Sequence, residues 1–64
     1  MFAIGDIWMW TKNSADHPTD PEYNYFLILD DEWGHKVLYL KDGRFAHYAT
    51  GNLQYNKVHL KFIA

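Results

Sequence analysis

The run KVLYLKDGRFAHYA, residues 36–49, constrains the fold more than any other part of the chain. Two apolar-alternating stretches meet at Asp42-Gly43. An Asp-Gly pair between such stretches is a strong hairpin signal, because both positions accept a positive φ. The run therefore predicts two antiparallel strands, KVLYLK and RFAHYA, joined by a tight turn. A single hairpin is marginal in water, so further strands have to cover its apolar side.

The rest of the chain supplies them. A first strand is expected from about Ile4 to Trp10. TKNSADHPTDPEYN, residues 11–24, follows as a long loop: Pro18 and Pro21 remove backbone donors, and the Asn, Ser and Asp residues favour turns. YNYFLILDD is the second strand, continuously apolar from Tyr25 to Leu29, as expected when both faces are covered. DEWGH turns the chain into the hairpin. TGNLQYN, residues 50–56, predicts a short helical turn. KVHLKFIA closes the chain as a half-buried strand, with Val58, Leu60 and Phe62 alternating with Lys57, His59 and Lys61.

Five short antiparallel strands in 64 residues have to curl, since a flat sheet would leave one face bare. The expectation is a single all-β domain, residues 1–64, built as a small five-stranded antiparallel barrel. The residues GDIW, YFLILDD, KVLYLKDG and the late NKV carry a resemblance to small bacteriophage-encoded SH3-like barrel proteins, including those of cyanobacterial phages. That resemblance implies an SH3-like barrel with a long first loop, a short helical turn before the last strand, and the first and last strands as neighbours. It implies no catalytic residue. The ALYDY stretch of signalling SH3 domains is missing, so their proline-peptide groove is not carried over.

Chemistry-bearing constellations are sparse. His17, His35, His47 and His59 show no zinc-ligand spacing. Asp30, Asp31, Glu32 and His35 form an acidic turn whose simplest role is to keep a hairpin soluble. Ser14, Asp16 and His17 lie together in the long loop, but a nucleophile needs a supported base within hydrogen-bond reach. The expectation is a protein that is not an enzyme and holds no metal or cofactor. With no cysteine, the chain has no disulfides. No basic stretch followed by an apolar run opens it, and its apolar runs are short, so a cytoplasmic protein (host cytoplasm, if phage-encoded) without membrane contact is expected.

Two features point to association. Residues 1–32 carry seven acids against Lys12 alone, a charge of −6, while residues 33–64 carry five Lys and Arg against Asp42, a charge of +4. The simpler consequence is internal pairing of oppositely charged strands, and the sharper one is a bipolar surface for a partner. The chain also has twelve aromatic residues, more than one small core hides, and aromatics are enriched at interfaces. The core is expected from Ile7, Phe26, Ile28, Leu38, Leu40, Val58, Leu60 and Phe62. Trp8, Trp10, Tyr25, Trp33 and Tyr39 are then the candidate interaction surface, reached by a second copy or by another phage or host protein. The alternative is a weak single-stranded nucleic-acid binder, with Lys57, His59 and Lys61 lying beside Trp8 and Trp10. Gly5 is a candidate bulge that would reset the first strand's register.

Overall fold

The computed structural model describes residues 2–12 and 21–64. They form a mostly β architecture: β1 (Ile7–Trp10), β2 (Tyr25–Asp30), β3 (His35–Tyr39), β4 (Phe45–Tyr48) and β5 (Leu60–Phe62). A 3-10 turn, Pro21–Asn24, leads into β2. The helical turn α1 (Asn52–Tyr55) and a second 3-10 turn, Lys57–His59, lie between β4 and β5. All strand pairs are antiparallel, and the order across the sheet is β4-β3-β2-β1-β5. The sheet is open, with β4 and β5 at its edges. No helix among the described residues is long and apolar enough to cross a membrane.

Directly opposed residues of an antiparallel pair share a face. The register sets Trp8 opposite both Phe26 and Phe62, Phe26 opposite Tyr39, Trp10 opposite Leu60, and Ile28 opposite Val37. These residues line the inner face. Phe2, Trp8, Phe26, Ile28, Val37, Tyr39 and Leu53 form the buried core, with Trp10, Ala46, Tyr48 and Leu60 packed against it. Leu53, the one apolar residue of α1 that turns inward, is fully buried.

The core differs from the sequence expectation in which face of β1 and β3 turns inward. Phe26, Ile28 and Leu60 stand as expected. Trp8 and Tyr39, expected outside, are only 7% and 6% exposed. Ile7 and Leu38 are half-buried on the opposite face, and Leu40 and Phe62 are exposed. Val58 is 81% exposed, because residues 57–59 form a 3-10 turn rather than the start of a strand.

The physical reason is size and register. Each buried tryptophan or tyrosine removes about 150–250 Å² from water, so a one-sided core of few positions gains most by taking the rings. The β1–β5 register puts Met9, not a tryptophan, opposite Lys61. A shift of one residue in such a pairing exchanges the two faces.

Asp6 holds the start of β1. Its Oδ2 accepts from the Ala3 amide at 3.0 Å and from Trp8 Nε1 at 3.3 Å, so the buried indole N–H has a partner. Gly5, at φ 92°, lies in the turn before β1. In the β2–β3 turn, Asp30 Oδ1 accepts from the Glu32 amide, and Trp33 and Gly34 both take positive φ. A Cβ at Gly34 would run into the carbonyl of Tyr48 and the backbone of Ala49 and Thr50, so this position demands glycine twice over.

Candidate functional site

The inner face ends in an aromatic pocket of about 320 Å³. Four elements build it. Trp10 comes from the end of β1, Tyr39 from β3 and Tyr48 from β4, while Tyr23 is presented by the 3-10 turn before β2. The register that turned Trp8 and Tyr39 inward also aims Trp10 here. Trp10 meets the Tyr48 ring edge-on at 5.8 Å. Its Nε1 donates to Tyr39 Oη at 2.9 Å, and Tyr39 Oη is in turn hydrogen-bonded to Tyr48 Oη. Burial, reinforced by the bond to Tyr48, holds the Tyr39 phenol well above its ordinary pKa.

The rim is polar and cationic. Asn24 is buried, and its Nδ2 donates to the Lys12 carbonyl at 3.4 Å, tying the 3-10 turn to the end of β1. Lys12 is exposed at the opening. Arg44 lies 4.6 Å over the Tyr39 ring, a cation–π contact, with its Nε on Asp42 Oδ2 at 2.6 Å. Asn56 completes the wall, its Nδ2 bonded to the Asn52 carbonyl at 2.9 Å.

Among the described residues, no strand or helical turn packs over the other face of the sheet. Ile7 opposes Leu27, Leu27 opposes Leu38, and Leu38 opposes Phe45. Ile63, whose amide bonds the Ile7 carbonyl, extends the row at the β5 side. An apolar line thus crosses the whole sheet, and Phe45 within it is 65% exposed. Met9 and Tyr25 are paired in the neighbouring row and are half-buried.

The five aromatics singled out from sequence fall in four different places. Trp8 and Tyr39 are core, and only the small exposed part of Tyr39 reaches the pocket wall. Trp10 is half-buried in the pocket wall, and Tyr25 lies on the outer face. Trp33 is 84% exposed in the β2–β3 turn, far from being a shared patch with the other four. The proposed basic strip does not assemble. Lys57 and His59 belong to a 3-10 turn, and Lys61 opposes Met9 on the outer face while the tryptophans point inward. Ser14, Asp16 and His17 lie outside the described residues. Among the described residues no three His, Asp or Glu side chains gather.

Among the described residues, Lys41 pairs with Glu22 at 3.0 Å, joining the acidic and basic halves, and Arg44 pairs with Asp42 within the basic half. Sequence reasoning missed Tyr23, Tyr48, Lys12 and Arg44 as pocket residues. Arg44 and Tyr48 lie toward the two ends of the predicted strand RFAHYA, which could have pointed to them, whereas Lys12 and Tyr23 fall in the expected loop, which carries no such signal. No protein-family model matches the chain, and no curated protein or solved structure matches it at a significant level.

Proposed function

We propose that this chain is a non-catalytic interaction module that associates with a second copy of itself through the outer face of its sheet. The observation that carries the reading is the apolar row Phe45–Leu38–Leu27–Ile7–Ile63. This row is self-complementary about the central strand β2. A two-fold axis along β2 lays Leu38 over the second copy's Ile7, and Phe45 over its Ile63, so every contact is apolar on apolar. Such an isologous contact closes on itself as a dimer. Exposed apolar patches of this kind on small proteins mark contact sites.

The strand order supports reading the sheet as SH3-like. It is a meander in which β5 returns beside β1, after helical turns that follow β4. That reading favours the small phage-encoded SH3-like proteins as the relatives to compare, acting in the host cytoplasm without a cofactor. Light scattering at rising concentration tests the association. The expected result is twice the 7.6 kDa chain mass, returning to monomer in Leu38→Lys with the fold intact by circular dichroism. A strict monomer at high concentration refutes it.

A further inference from the structure

We propose that the pocket walled by Trp10, Tyr23, Tyr39 and Tyr48 is a nucleotide site, taking a planar base against its rings and a phosphate at Lys12 and Arg44. This is independent of self-association, because the pocket and the apolar row lie on opposite faces of the sheet.

The argument starts from hydrogen-bond accounting. Tyr39 and Tyr48 together own two hydroxyl protons, and one is used in the bond between them. The Trp10 N–H already donates to Tyr39 Oη. Whichever phenol donates, one O–H proton is left without an acceptor among the described residues, at the floor of the pocket. Its charged lining groups, Lys12 and Arg44, are both cations, and the described lining includes no Asp or Glu. Among the described residues the Lys12 ammonium makes no hydrogen bond or ion pair. Asp42 and the Tyr39 ring hold the Arg44 guanidinium in place, and Asp42 offsets its charge, so Lys12 supplies the net positive charge of the described lining. The pocket thus presents donors and positive charge, and its complement is an acceptor-rich anion.

The walls narrow the choice of anion. Aromatic side chains bind bases by stacking, with little regard to sequence, and cations beside them engage the phosphate. A volume of about 320 Å³ is near the lower end of small-ligand sites, about 300–1,000 Å³, and suits one base-sized unit rather than a folded partner. The chain's net charge of −2 opposes anions only weakly, since exposed charges beyond about 8–10 Å are screened at ordinary salt.

The test is an NMR titration of the full chain, followed at the indole N–H of Trp10. The probes are adenosine 5′-monophosphate, adenosine, inorganic phosphate, oligothymidylates with and without a terminal phosphate, and an acidic peptide. Adenosine monophosphate should shift the Trp10 resonance, binding more weakly as salt rises. Loss of the phosphate, or of one cation in Lys12→Ala or Arg44→Ala, should weaken binding about tenfold, the usual worth of a charge-assisted contact. Tyr48→Phe should weaken it several-fold while circular dichroism stays native.

If the mononucleotide binds as well as any strand, the ligand is a free nucleotide. If the phosphorylated strand binds tighter, the ligand is a strand end. The proposal is overturned if no nucleotide shifts Trp10 at millimolar concentration, if adenosine binds as tightly as its phosphate, or if Lys12→Ala changes nothing. It also falls if the acidic peptide outcompetes every nucleotide, which would assign the pocket to protein.

Discussion

Trp8 decides which face of the sheet is the core. It is 7% exposed, packs against the tilted Phe2 ring with ring centres 4.4 Å apart, meets Phe62 edge-on at 5.3 Å, and donates its indole N–H to Asp6. Burying about 200 Å² of ring surface, at about 25 cal/mol per Å², stabilises the fold by about 5 kcal/mol. Truncating a buried tryptophan to alanine costs about 3–5 kcal/mol. A 64-residue domain at about 0.05–0.15 kcal/mol per residue has only about 3–10 kcal/mol in all. Trp8→Ala should therefore lose between about a third of that stability and all of it. Two further variants keep the comparison measurable. Trp8→Phe retains a ring against Phe2 but loses the bond to Asp6, and should cost about 1–2 kcal/mol. Met9→Ala, half-buried on the outer face, should cost about 1 kcal/mol or less. Urea denaturation followed by far-ultraviolet circular dichroism gives all three values. A Met9→Ala protein less stable than Trp8→Phe, or a Trp8→Ala that loses no more stability than Met9→Ala, would refute the assignment of faces.

Two other outcomes follow from the same structure. Gly34→Ala should lower stability by about 1–3 kcal/mol, because it combines a φ of 109° with a clash against the Tyr48 carbonyl; a thermal midpoint unchanged from the parent would contradict this. Tyr39, whose phenol burial and the Tyr48 bond hold above its ordinary value near 10, keeps in the folded state a proton that the unfolded chain releases. Its contribution is complete below about pH 10 and is lost as pH rises beyond it. Denaturation curves across alkaline pH should show this loss, and Tyr39→Phe should flatten it, while costing about 1 kcal/mol at neutral pH through the partners it leaves on Trp10 and Tyr48.

The strands were legible because hairpin signals and alternation are local. Asp42-Gly43 marks the β3–β4 turn, and the apolar run Tyr25–Leu29 marks β2. Orientation was not legible in β1 and β3, since both faces of each strand are apolar: Ile7 and Met9 against Trp8 and Trp10, Leu38 against Val37 and Tyr39. Only cross-strand register chooses between them, and register is a non-local property. The alternation of Leu60, Lys61 and Phe62 correctly turned Leu60 toward the core, but was extended back through residues that form a 3-10 turn. The pocket escaped for a related reason. Its walls come from segments 38 positions apart in sequence, from Trp10 to Tyr48, and the strand order brings them together.

The pairing of β1 with β5 carries a consequence in time as well as in space. The amide of Ile7 reaches the carbonyl of Ala64, and Ile63 reaches back to Ile7, so this ladder joins residues separated by almost the whole length of the chain. The meander β2–β3–β4, in contrast, closes through two short turns. Contacts distant in sequence set the pace of folding, because their loop entropy is lost before their energy is gained. The meander is expected to assemble first and the β1–β5 seam last. The same seam should open most readily in the native protein, with the amides of Ile7 and Ile63 exchanging their hydrogens sooner than those of Ile28 and Val37.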